Sequence, residues 1–140
     1  STDRQTFITC IVAQYHFDNR VLQLANAGHC LPILKREGKG EFINTPAPKF
    51  PLGLRANVDY QPYELQMQEG DFLLLYSDGL PEAVNPKGER FGFENLLRLV
   101  EELDTEHRPS NEIAMDIKRK VQKFSDYQLA DDTTIICLKV

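Results

Sequence analysis

The 140 residues, 41% of them hydrophobic, suffice for one domain with a real core and leave little room for two. The formal charge is −5 and no basic run exceeds Lys118-Arg119-Lys120, which argues against nucleic acid or an anionic membrane as the main partner. No apolar run approaches the roughly 20 residues that span a bilayer, and the N-terminus lacks a basic region followed by an apolar core, so the chain reads as cytoplasmic.

From Thr6 to Phe17 the residues are largely β-branched and aromatic, which predicts a strand. Asp18-Asn19-Arg20 reads as a turn, and Val21, Leu22 and Leu24 open a second strand running into Ala25-Asn26-Ala27-Gly28-His29. The short connection makes the pair an antiparallel hairpin. Leu31–Lys35 and Glu41–Ile43 form a second hairpin, turned at Glu37-Gly38-Lys39-Gly40. Cys10, Cys30 and Cys137 are odd in number, widely spaced and set among apolar residues, so they are expected to be buried, inert thiols.

Asn44 to Asn57, with Pro46, Pro48, Pro51 and Gly53, has no apolar period and reads as a loop. Tyr63 and Leu65 alternate with polar neighbours in an edge-like strand, where Pro62 is tolerable near the start. Met67-Gln68-Glu69-Gly70 is the next turn. The run Phe72-Leu73-Leu74-Leu75-Tyr76 then fits a strand buried on both faces. It leads through Ser77 to Asp78-Gly79. Burying an ionised carboxylate is costly unless it is paired or holds a metal, so Asp78 is either a turn residue facing water or a ligand. The first alternative has a simple basis, because Gly after Asp supplies positive φ in many turns.

Beyond Asp78 the apolar period changes from 2 to 3.6. Phe93, Leu96, Leu97, Val100 and Leu103 predict an amphipathic helix over about 93–103. A second helix starts near Ser110 as N-cap, with Glu112 in its first turn and Ile113, Ile117, Val121 and Phe124 as its stripe. Thr133 to Val140 is a final buried strand. The order predicts an α+β domain with antiparallel sheets and helices on one side.

Ala130-Asp131-Asp132 precedes that last strand. If it pairs antiparallel with the Phe72–Ser77 strand or a near neighbour, its start lies beside that strand's end, and Asp78, Asp131 and Asp132 converge. Like charges that close repel unless a cation sits between them, and oxygen ligands alone favour Mg²⁺ or Mn²⁺. The alternative is that Asp131 and Asp132 merely cap a turn.

Ala25-Asn26-Ala27-Gly28-His29, Pro51-Leu52-Gly53, Gly70-Asp71 through Asp78-Gly79-Leu80-Pro81-Glu82-Ala83, Phe91-Gly92 and Ala130-Asp131-Asp132-Thr133-Thr134 occur in the order seen in SpoIIE-type phosphatases. The chain thus resembles, over essentially its whole length, members of the metal-dependent protein phosphatases of the protein phosphatase 2C superfamily. The resemblance implies an antiparallel β-sandwich flanked by helices with a two-metal site, binding Mn²⁺ or Mg²⁺, at one end. It makes Asp78 and Asp131 metal ligands and Asp132 a weaker candidate, since many relatives carry Asn there. Gly79 would keep the backbone close to the metal, and Glu82 matches an acidic position near metal-bound water. His29 is expected to be structural, and His16 and His107 have no constellation around them. No residue here is singled out as catalytic.

The family's first motif, a Gly-Asp-x-x-Gly-His type segment supplying the aspartate that bridges both metals, does not occur in these residues. Asp3 is a poor substitute. The 140 residues are therefore expected to be the C-terminal part of a single phosphatase domain, incomplete at the N-terminus and of little activity alone. Its exposed sheet edges could pair with a second copy in a homodimer. The implied reaction is metal-dependent hydrolysis of phosphoserine or phosphothreonine on a regulatory protein, an anti-sigma-factor antagonist in bacterial signalling, with no phosphoenzyme intermediate. The alternative from another class is a non-catalytic module that keeps the fold to bind a partner protein.

Overall fold

A computed structural model describes residues 10–27, 29–45, 63–129 and 133–140. The chain divides into two compact units, one of residues Ser1–His29 with Asn44–Gln68, the other of Cys30–Ile43 with Glu69–Val140.

In the first unit, β1 (Cys10–His16), β2 (Val21–Ala27) and β5 (Tyr63–Gln66) form an antiparallel sheet in the order β1-β2-β5. The predicted hairpin is present, with His16 opposite Val21. Residues 6–9 of the expected first strand lie outside the described residues, as does the loop from residue 46 and Pro62. The hairpin turn is built by short polar side chains: Asp18 Oδ1 accepts from the Asn19 N–H and Asn19 Oδ1 from the Val21 N–H, while Arg20 takes φ 57°. The β5 strand lies at the sheet edge as its alternation and nearby proline predict, and Leu22 and Leu24 of β2 are buried.

In the second unit, β3 (Ile33–Arg36), β4 (Lys39–Phe42), β6 (Phe72–Tyr76) and β7 (Ile135–Lys139) make an antiparallel sheet in the order β4-β3-β6-β7, joined by helices α1 (Phe93–Glu102) and α2 (Ser110–Phe124). Ile33, Phe72, Leu74, Tyr76 and Leu80 pack with Leu96, Val100, Ile113, Ile117 and Val121 in one core. β6 is a central strand with Phe72, Leu73 and Leu74 all buried, which explains its unbroken apolar run.

Five expectations are corrected. The β3–β4 turn is two residues rather than four: Glu37 and Gly38 take φ 52° and 79°, the left-handed pair that matches strand twist, so β4 starts at Lys39. In α1, Leu99 is buried while Phe93 is 48% exposed, because Phe93 is the first helical residue and its ring meets Phe42 edge-on at 6.2 Å. Ser110 is the first residue of α2 rather than its cap; the cap is Pro109, whose carbonyl accepts from the Ile113 N–H. Finally, β7 is an edge strand and only half-buried: Ile135 and Cys137 pack on the core and Ile136 is 53% exposed. The three thiols are likewise half-buried rather than fully enclosed.

Two side chains fix the ends of these elements. Asp71, buried just before β6, accepts from Arg36 at both oxygens, Nε to Oδ1 at 2.9 Å and a terminal nitrogen to Oδ2 at 2.7 Å. Lys35 Nζ donates to the Leu103 carbonyl at 2.6 Å, closing the C-terminus of α1.

Candidate metal-binding turn

The antiparallel pairing of β6 with β7 sets the site. Tyr76 is opposite Ile135, and the pairing continues one step beyond the strands: the Ser77 N–H donates to the Thr134 carbonyl at 3.0 Å and the Thr134 N–H to Ser77 Oγ at 2.9 Å. The chain then turns tightly. The Leu80 N–H donates to the Ser77 carbonyl and the Glu82 N–H to the Asp78 carbonyl at 3.0 Å, while the fully buried Leu80 anchors the turn in the core. Asp78 projects from this turn, exposed.

Gly79 does not take a positive φ, so turn conformation is not the reason for glycine here. The reason is space. A Cβ at Gly79 would sit 2.6 Å from Thr133 Oγ1. The segment leading into β7 thus presses against the Asp78-Gly79 turn, as the strand pairing predicts. Asp131 and Asp132 lie outside the described residues, immediately before Thr133. Among the described residues no group of three His, Cys, Asp or Glu side chains is placed to hold a metal ion.

Sequence reasoning missed two neighbours of Asp78. The Tyr76 hydroxyl donates to the Leu31 carbonyl at 2.7 Å, tying the segment before β3 to the end of β6, and burial raises its pKa. Cys30, one residue back, has its thiol pushed up to about 11, first by burial and then by the negative charges of Asp78 and Glu82. Cys30, Asp78 and Glu82 therefore share one electrostatic neighbourhood, and it is negative. The signal was long-range: nothing in the sequence spacing links Cys30 to Asp78 except the β3–β6 pairing, which puts Ile33 opposite Leu74.

The remaining motif residues make local contacts. The buried Asn26 side chain grips the His29 backbone, Oδ1 accepting from its N–H at 2.7 Å and Nδ2 donating to its carbonyl at 3.2 Å. Glu82 is exposed, 3.9 Å from the equally exposed Arg90. Gly92, at φ 84°, starts α1, and Phe91 packs edge-on against Phe124 at 5.2 Å. His107 pairs with Asp104 at 3.1 Å on a loop between the helices.

The sequence model of the family described as Stage II sporulation protein E (SpoIIE) matches residues 1–140. The chain belongs to the SpoIIE family. The phosphoserine phosphatase RsbU of Bacillus subtilis is 31% identical over 143 residues, covering 99% of this chain and 41% of RsbU. The family chain therefore spans about two fifths of that relative's length. Among solved structures, the PP2C phosphatase domain of B. subtilis SpoIIE with a fragment of its regulatory domain superposes with TM-score 0.79 at 22% identity, covering 94% of this chain and 37% of the other. The SpoIIE phosphatase domain presoaked with Mn gives 0.73 at 18% identity, over 94% and 56%. The RsbU and RsbW domains of Rv1364c from Mycobacterium tuberculosis give 0.77 at 22% identity, over 92% and 36%. The fold is the α+β fold of these PP2C-type phosphatase domains, as the motif order implied.

Proposed function

We propose that these residues form part of a metal-dependent phosphatase domain that hydrolyses phosphoserine or phosphothreonine on a cytoplasmic regulatory protein, an anti-sigma-factor antagonist. The observation that carries this reading is the contact of Gly79 with Thr133, which sets the exposed Asp78 beside the residue that follows Asp131-Asp132. The donor set fits a hard divalent cation: carboxylate oxygens, an exposed Asp78, and glycine where a side chain would fill the space. Asp78 and Asp131 would hold Mn²⁺ or Mg²⁺, with Asp132 beside them and Gly79 admitting the close backbone approach. When bound, the ions would lower the pKa of a coordinated water and neutralise charge on the phosphoryl oxygens.

The chain's own contribution is placement. The ladder between β6 and β7, extended by the Ser77–Thr134 bonds, fixes the Asp78 turn, and Leu80 prevents it from shifting. Glu82, held by its N–H on the Asp78 carbonyl, offers a second carboxylate to solvent at the same turn. Lacking a Gly-Asp-x-x-Gly-His segment, the 140 residues alone should turn over poorly, and a homodimer through exposed sheet edges is a further expectation.

The test is Mn²⁺-dependent hydrolysis of p-nitrophenyl phosphate by the full-length protein. Asp78→Asn should abolish it while leaving the melting temperature near that of the parent. Full activity in Asp78→Asn would refute the assignment. Partner binding without any hydrolysis would turn the reading to a non-catalytic module.

A further inference from the structure

The basic run in α2 is unexplained by the candidate site. Lys118, Arg119, Lys120 and Lys123 are all exposed, in a chain whose net charge is −5. The helix has two acids. Glu112 is in the first turn, and the Asp116 carboxylate is taken by Arg108 at 3.3 Å. Among the described residues no ion pair neutralises the four cations. Favourable interaction with the helix dipole reaches only the last turn, so it accounts for Lys123 and not for Lys118 or Arg119, which lie further back.

Beside this run is a groove of about 350 Å³ between α2 and the start of β7, lined by Ala114, Met115, Lys118, Thr133, Thr134 and Ile135. Met115 is 54% exposed there, although the helix turns Ile113, Ile117 and Val121 inward. The groove is continuous with the candidate site, because its Thr133 wall is the residue pressed against Gly79. A chain lying in the groove thus passes from the α2 cations to the turn that carries Asp78.

We propose that this groove docks an acidic segment of the phosphoprotein substrate, with Met115 taking an apolar side chain and Lys118 facing its carboxylates. The proposal rests on the phosphatase reading and names the substrate chemistry that its site selects. Charge complementarity favours this occupant: Lys118 lines the groove beside the exposed Met115 with no ion pair among the described residues, and an acidic peptide supplies the missing carboxylate.

The test uses the full-length protein and two phosphoserine peptides, one flanked by Glu and Leu, the other with each Glu replaced by Gln. Lys118→Glu should lower kcat/KM for the acidic peptide roughly three- to tenfold, as reversal of exposed charges does, and leave the neutral peptide and p-nitrophenyl phosphate unchanged. Met115→Gln should lower kcat/KM for both peptides but not for p-nitrophenyl phosphate. An equal effect on both peptides from Lys118→Glu, or none on either, overturns the proposal. If p-nitrophenyl phosphate is not hydrolysed at all, the phosphatase reading fails on its own. Fluorescence anisotropy of the labelled acidic peptide then decides the groove: loss of binding in Lys118→Glu supports it and unchanged binding overturns it. Tighter binding to phosphatidylserine vesicles or to a short DNA duplex, lost in Lys118→Glu, also overturns it, in favour of a membrane or nucleic-acid surface.

Discussion

Replacing Gly79 by alanine has two opposed effects whose sum has a definite sign. Since Gly79 does not use positive φ, alanine is conformationally admissible and would stabilise by about 0.4–1 kcal/mol through the unfolded chain if there were room. There is none: the new methyl would stand 2.6 Å from Thr133 Oγ1 and 3.5 Å from the Thr133 Cα. The backbone there cannot withdraw without giving up the Ser77–Thr134 bonds, so the threonine must leave its rotamer or the turn must shift. Such overpacking costs about 1–3 kcal/mol. The net expectation for Gly79→Ala is a loss of roughly 0.5–2 kcal/mol. Thr133→Ala removes the clashing oxygen, so the double variant should recover most of that loss. Urea denaturation of the four proteins, at equal m-values, yields the coupling energy, expected to be about 1–3 kcal/mol. A stabilised Gly79→Ala variant, or a coupling indistinguishable from zero, would refute the close approach on which the metal assignment depends.

Asp71→Ala should cost about 2–4 kcal/mol by stranding Arg36, with p-nitrophenyl phosphate turnover per folded molecule unchanged; thermal melts and activity at low temperature check both halves. Burial lowers the pKa of Lys35 below its ordinary 10.5, so its charged form is disfavoured on folding. Stability should therefore rise with pH between the folded value and 10.5, where only the unfolded chain keeps the proton. That rise should be missing in Lys35→Met, so the stability of the parent relative to the variant should shift in the parent's favour over this window; a flat difference in denaturation midpoints would be the contrary result. With its thiol held near 11, Cys30 should alkylate slowly at neutral pH, and Asp78→Asn should speed it by removing one of the negative charges that raise it. Mass-resolved iodoacetamide labelling reads this directly, and an unchanged rate would place Asp78 out of range of the thiol.

Most of the second unit was legible because its signals are local or strongly periodic. The run Phe72–Tyr76 announced a central strand, and Ile113, Ile117 and Val121 a helix face. The antiparallel pairing of the last strand with β6, which the sequence alone leaves as a condition, is present. What was misread depends on neighbours distant in sequence. Leu99 is buried and Phe93 half exposed because Phe93 opens α1 with its ring edge-on to Phe42, while Leu97 and Glu101 lie against the side-chain-free Gly40 of β4. The last strand looked buried by composition, but residue type cannot tell an edge strand from a central one. At the site, the conformational reason for a glycine after Asp78 fails, since Gly79 does not take a positive φ, and the neighbour that a Cβ would meet there, Thr133, is a long-range partner that spacing alone does not reveal.

The two aspartates that bracket β6 differ in what surrounds them. Asp71 is 2% exposed, and its two oxygens are occupied by one guanidinium, so its charge is already neutralised and its lone pairs committed. Asp78 is exposed and makes no ion pair among the described residues, while Glu82 of the same turn lies 3.9 Å from Arg90. A carboxylate that merely ended a strand would gain from a nearby Lys or Arg, as Asp71 does. A carboxylate without an ion pair among the described residues, on a turn braced by a buried leucine and approached by Thr133, is open to a cation from solution. If a divalent cation binds there, added Mn²⁺ should raise the melting temperature of the full-length protein, because a ligand that binds only the folded state stabilises it, and Asp78→Asn should remove that rise.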